Sequence, residues 1–158
     1  MVSRDYEELF NILNGHKVKY LVIGAHAVIF YTEPRFTKDI DIWIPPELNQ
    51  PERVYQALKT FGAPLIDVAV EDFDNKRMIL QIGIAPVRVD ILMHVKGVSA
   101  WTAWKNRVRS QYGKTTIQIL GLKDLIKVKK KSGRPQDRLD LEKLVDRCFR
   151  KNRRRNSG

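Results

Sequence analysis

Apolar and polar positions change period several times along the chain, and each change predicts an element. Tyr6, Leu9, Phe10 and Leu13 recur at three- and four-residue spacing behind Ser3, with Asp5, Glu7 and Glu8 in the first turns. A helix is therefore expected from Arg4 to about Leu13, capped by Ser3 and ended by Asn14-Gly15. Lys19-Tyr20-Leu21-Val22-Ile23 is apolar and β-branched up to Gly24 and reads as a short buried strand, followed by an apolar helix from about Ala25 to Tyr31. Glu33-Pro34-Arg35 stops that helix, because the residue before a proline is pushed out of the helical region. Asp39-Ile40-Asp41-Ile42-Trp43-Ile44 then alternates strictly, with Ile40, Ile42 and Ile44 on one strand face and Asp39, Asp41 and Trp43 on the other.

The remainder of the chain adds a helix from Pro51 to Phe61 closed by Gly62 and strands at Ile66–Val70, Met78–Ile82 and Val87–Leu92, the last two joined by a turn through Gly83 and Pro86. Ser99 is expected to cap a helix carrying Trp101, Trp104 and Val108, and Thr115–Ile119 alternates as an edge strand. Two helices finish the chain. One runs from about Leu122 to Lys131 and stops at Ser132-Gly133; the other opens with Pro135 and aligns Leu141, Leu144, Val145 and Cys148. This order predicts an α/β (α+β) fold, a mixed sheet of about five strands flanked by helices, with residues 1–149 as one domain and residues 150–158 as a basic disordered tail.

Alternate residues on one strand face stand about 6.5 to 7 Å apart, so Asp39 and Asp41 project two carboxylates side by side from one platform. Covering that face leaves their repulsion uncompensated unless a cation sits between them. Asp90 is the natural third acid, because Arg88-Val89-Asp90-Ile91-Leu92 is a second alternating strand with Val89 and Ile91 on its apolar face. If the two strands are neighbours, the three carboxylates converge as a cage for Mg2+, two ions in the manner of phosphoryl-transfer sites, with Mn2+ as a substitute. Gly24, between strand and helix, lets backbone N–H groups face a phosphate. The bland alternative is a surface strand that alternates acids with isoleucines.

Strand, Gly24, helix, a loop bearing Arg35, Thr37 and Lys38, and then Asp39-Ile40-Asp41 resemble the nucleotidyltransferase fold related to DNA polymerase beta. More narrowly, three stretches are similar to the minimal nucleotidyltransferases near the abortive-infection toxin group. They are Val22 to Ala27 with Glu33 to Trp43, Val87 to Leu92, and Gly121 to Ile126 continued through Lys129 to Asp137. The resemblance implies transfer of a nucleoside monophosphate from an NTP to an acceptor hydroxyl of RNA, protein or a small molecule. Asp39, Asp41 and Asp90 would be its catalytic and metal-holding acids. Gly24, Ala25, Arg35, Thr37, Lys38, Lys129 and Arg134 would be its nucleotide-binding residues. Lys129 and Arg134 serve the triphosphate if their helix folds over the site; otherwise they balance a helix C-terminus. The family places serine or a second glycine where Ala25 stands, and the missing hydroxyl puts turnover in question. The alternative is a weak or inactive scaffold, acting as a regulatory module or with the partner protein of a toxin–antitoxin pair. His26 is expected to pack with one nitrogen satisfied, and Asp124, Asp137 and Asp140 to serve as caps or surface ion pairs.

Composition narrows the setting. Hydrophobic residues make up 43% of 158, enough for a core, and no apolar run is long enough to span a bilayer. A lone cysteine, Cys148, excludes an internal disulfide and a multi-cysteine metal site, as expected of a cytoplasmic protein without a membrane partner. The charge is 29 basic against 18 acidic residues, net +11, with basic clusters over Lys123–Arg134 and Arg150–Arg155. An anionic partner, NTP or RNA, fits that balance; a solvated helix face fits it equally.

Overall fold

The computed structural model describes residues 3–33, 39–84 and 87–156. Their elements are α1 (Arg4–Gly15), β1 (Leu21–Ile23), α2 (Gly24–Tyr31), β2 (Asp39–Trp43), α3 (Pro51–Phe61), β3 (Ile79–Ile84), β4 (Val87–Leu92), α4 (Ala100–Lys105), β5 (Val108–Tyr112), β6 (Thr115–Ile119), α5 (Leu122–Ser132) and α6 (Pro135–Asn156). The strands form one mixed sheet in the order β3-β4-β2-β1-β6-β5. β4 runs parallel to β2, and β6 parallel to β1; the other three pairings are antiparallel.

Period-two patterning decides which side of the sheet is sealed. Ile40, Ile42, Val89 and Ile91 are all at or below 2% exposure, while Asp39, Asp41, Arg88 and Asp90 occupy the opposite face and are half-buried. Tyr6, Leu9, Phe10 and Leu13 of α1 and Val54, Ala57 and Leu58 of α3 are buried, as their helical spacing predicts, and α1 packs on α3. α2 lies against β1 and β2 and meets α5 and α6. None of the helices described is long and apolar enough to cross a membrane.

Several expectations need correction. The sheet has six strands, not about five. Residues 66–70 form no strand: Ile66 is exposed, and the Asp72 carboxylate accepts the Ala69 N–H at 2.9 Å, winding Val70–Asp74 into a 3-10 turn. Val108 opens a strand instead of extending the Ser99-capped helix, because pairing from Val108↔Ile119 to Tyr112↔Thr115 satisfies a whole backbone ladder. β5 is consequently the edge, and β6 lies inside the sheet. Ser3 precedes α1 without a side-chain cap; its amide donates instead to the Tyr112 hydroxyl at 2.8 Å. Trp101, on the helix that Ser99 caps, is 64% exposed and so takes no packing role there. The basic segment after Phe149, expected to be disordered, continues α6 to Asn156. No proline or glycine interrupts it, arginine and lysine favour helix, and Arg150 pairs with Asp146 one turn earlier at 3.1 Å.

Candidate active site

The β2–β4 register sets Asp39 opposite Arg88 and Asp41 opposite Asp90, while β1 on the other flank of β2 sets Ile23 opposite Asp41. The three acids named from the sequence therefore share one sheet face across two adjacent strands. Gly24 follows Ile23 directly, so α2 begins beside Asp41. Gly24 has φ +66°, and a Cβ built on it would overlap Asp41 Oδ2. Only glycine combines that backbone with that approach.

Burial raises the Asp41 carboxyl to about 6; the neighbouring Asp90 and Asp39 charges push the same way, and Lys129 and Arg88 pull against them. Asp90 is differently placed. Arg88 donates from Nε to Asp90 Oδ1 at 3.1 Å and from a terminal nitrogen to Oδ2 at 3.2 Å, taking both carboxylate oxygens. Arg88 was not singled out by sequence, although its place two residues before Asp90 on one strand face was a readable signal. Gln81 of β3, opposite Asp90 in the register, was missed as well. So was Tyr6, whose hydroxyl donates to the Arg88 carbonyl at 3.0 Å and which lies within electrostatic reach of Asp39 and Asp41.

Among the described residues, no group of three His, Cys, Asp or Glu side chains stands ready to cage a metal ion. The donor chemistry nonetheless fits a divalent cation at Asp39 and Asp41: two hard oxygen donors on one face, with the Asp41 carboxyl raised by burial and by the neighbouring Asp90 and Asp39 charges. Asp90 adds its remaining oxygen lone pairs to such a set, since Arg88 takes one contact on each of its two oxygens.

The expected nucleotide-binding residues divide into three groups. Gly24 and Ala25 form the first turn of α2, beside Asp41. Arg35, Thr37 and Lys38 lie outside the described residues. Lys129, near the end of α5, sends Nζ to Asp137 Oδ1 at 2.8 Å and Asp140 Oδ2 at 3.4 Å, yet still acts on Asp41. Arg134 is exposed between α5 and α6. Asp137 and Asp140, expected as caps or surface ion pairs, are buried: Asp137 sits in the first turn of α6 and takes the Arg134 backbone N–H, and both acids pair with Lys129 away from the surface. Lys129 and Ser132 bind Asp137 and, despite burial, bring its pKa below the usual carboxylate value. Asp124 is buried too and accepts from Asn106.

His26, in the first turns of α2, meets the Tyr6 ring edge-on at 6.0 Å between centroids. Its Nε2 is buried without a hydrogen-bond partner among the described residues, so the expected satisfied nitrogen is not this one. Burial lowers its pKa and favours the neutral ring. Trp43, which shares the carboxylate face in sequence, is sealed at 1% exposure and donates from Nε1 to the Met93 carbonyl at 3.2 Å.

Paired strands carrying acids beside a glycine-led helix are the architecture of a nucleotidyltransferase domain, and the solved structures agree on the fold. The lincosamide antibiotic adenylyltransferase LnuA, lincomycin-bound, aligns with a TM-score of 0.59 over 91% of this chain and 97% of its own, at 17% identity. A candidate nucleotidyltransferase from Thermotoga maritima aligns with a TM-score of 0.56 over 92% and 96%, at 18% identity. An antigenic nucleotidyltransferase-like protein from Paracoccidioides brasiliensis aligns with a TM-score of 0.53 over 92% and 77%, at 12% identity. No curated protein sequence matches the chain. The chain belongs to the family described as "Nucleotidyl transferase of unknown function (DUF2204)", whose profile matches residues 2–156.

Proposed function

We propose that this protein transfers a nucleoside monophosphate from an NTP to an acceptor hydroxyl. The acceptor oxygen forms a bond to the α-phosphorus, the bond to the β-phosphate oxygen breaks, pyrophosphate leaves and the hydroxyl proton is released. The observation that carries the reading is the Asp41 carboxylate, set against Gly24 and opposite Asp90, with its pKa raised to about 6.

Asp39 and Asp41 would hold Mg2+, with Asp90 joining them. Bound there, the ion would supply neutralisation of the triphosphate and a lowered pKa for the attacking hydroxyl. The chain's own groups do the positioning. Backbone N–H groups at the start of α2 receive phosphate oxygens, and the absence of a Cβ at Gly24 lets those oxygens approach Asp41. Asp90, oriented by Arg88, accepts the proton from the acceptor hydroxyl. Lys129, anchored by Asp137 and Asp140, contributes fixed positive charge toward the site. Ala25 offers only its backbone, so phosphate binding there depends on N–H donors.

A second reading, a scaffold that binds a regulatory or toxin–antitoxin partner without turnover, is favoured by one observation: Arg88 already occupies both Asp90 oxygens. Calorimetric titration with each NTP, with and without Mg2+, separates the two. Mg2+-dependent binding that disappears in Asp39→Asn/Asp41→Asn supports the transferase. A silent wild-type protein supports the scaffold.

A further inference from the structure

Two overlapping cavities of about 460 and 470 Å³ open on the side of the fold where the C-terminal end of α2, the N-terminal end of α5 and the last turns of α6 meet. Both are lined by Tyr31, Val108, Leu122, Lys151 and Arg155. Their cationic wall comprises Lys123 from α5 and Arg147, Arg150, Lys151, Arg154 and Arg155 from α6. The five α6 positions fall at i, i+3, i+4, i+7 and i+8, one helix face, with charge where an amphipathic helix would bear its apolar stripe. At 1.5 Å per residue that stripe is about 12 Å long, several phosphate spacings of a nucleic-acid strand. The one acid in the wall among the described residues, Asp124, is buried and accepts from Asn106 Nδ2 at 3.3 Å.

Two further features point to a strand in place of scattered small anions. Phe30 is 42% exposed at the edge of the groove, buttressed by Tyr31 in a T-shaped contact with centroids 4.9 Å apart, and presents a ring to solvent beside the arginines. The α5 N-terminus, with Gly121 at the cap and no side-chain cap, opens into the same cavity. Cations on a regular face, helix N–H groups and an exposed aromatic ring are the components of a single-strand groove: phosphates along the charges, an unpaired base on the ring. We propose that this groove binds single-stranded nucleic acid. The site is formed from the far end of α2 relative to Gly24, and it does not depend on nucleotidyl transfer.

Fluorescence anisotropy with a labelled 12-nucleotide single-stranded RNA tests it. About four phosphate contacts at a slope of about −0.7 each predict a log–log salt slope near −2.8, a loss of roughly fiftyfold between 50 and 200 mM salt. Lys151→Glu/Arg155→Glu removes two exposed charges shared by both cavities, so affinity should fall at least tenfold and the slope should flatten by about 1.4. Phe30→Ala should weaken binding at least fivefold at unchanged slope, since stacking is not ionic. Thermal melting of each variant checks folding. Asp39→Asn/Asp41→Asn should bind the RNA as wild type does, which keeps this result separate from the NTP titration. Wild-type affinity in the charge-reversal variant, or equal affinity for the matching duplex with no effect of Phe30→Ala, overturns the proposal.

Discussion

Replacing Asp41 with asparagine should make the protein more stable while abolishing nucleotide binding. Asp41 titrates at about 6 in the folded state against an ordinary 3.8. A folded pKa above the unfolded one means that the native state holds the proton more tightly, so its contribution is complete below pH 3.8 and is lost as pH rises to about 6. A gap of roughly two units, at 1.36 kcal/mol each, sets a ceiling of about 3 kcal/mol on the cost of ionising Asp41 in place. Partial solvent access screens some of this, and about 1 to 2 kcal/mol is expected. Asparagine keeps the shape without the charge. At pH 7.5, Asp41→Asn should therefore melt roughly 2 to 8 °C above wild type. Below pH 4 the two melting curves should converge. Circular dichroism melts across pH 3.5 to 8 without divalent ions measure this directly. A variant no more stable than wild type at pH 7.5, or a difference independent of pH, would refute the account of Asp41 as a carboxylate strained by burial and its neighbours.

Gly24→Ala should cost at least about 1 to 2 kcal/mol in urea denaturation from the left-handed backbone alone, and more because the new Cβ displaces Asp41. Lys129→Met takes away the lysine charge that faces buried Asp137 and Asp140 and should destabilise by about 3 to 5 kcal/mol, with partial recovery in Lys129→Met/Asp137→Asn/Asp140→Asn, read from the same unfolding curves. His26→Leu removes a buried nitrogen without a hydrogen-bond partner among the described residues and should be neutral or stabilising by about 1 kcal/mol in thermal melts. The gain should grow as pH falls through 6.5, where wild type loses stability because its folded state resists protonating this ring.

The face-sorting residues were legible from sequence because period-two alternation is a property of the strand itself: Ile40, Ile42, Val89 and Ile91 go inward wherever their strands are placed. The meeting of Asp41 with Asp90 required only that β2 and β4 be neighbours, and the hydrophobic pattern of both strands permits it. Partners chosen by side-chain reach were not legible. Arg88 could have turned to Asp39, to solvent or to Asp90, and only the assembled sheet selects the last. Asp137 and Asp140 looked like caps or surface charges because helical spacing conveys position but not depth; packing of α5 on α6 buries both and brings Lys129 to them. The strand at Val108–Tyr112 was hidden because Trp101, Trp104 and Val108 also fit a helical spacing, and long-range pairing with β6 outweighs that local pattern.

The parallel pairing of β2 with β4 has a consequence for how the chain reaches its native state. Asp41 and Asp90 lie 49 positions apart, with α3 and β3 in the chain between their strands. Parallel pairing also closes a long loop before any ladder energy is recovered, which makes it a slow, late event in folding. The carboxylate cluster, with its internal repulsion, therefore arises only when most of the sheet is in place to hold it. An incompletely folded chain exposes the acids separately and has no site, so the appearance of NTP binding during refolding would time the closing of the sheet.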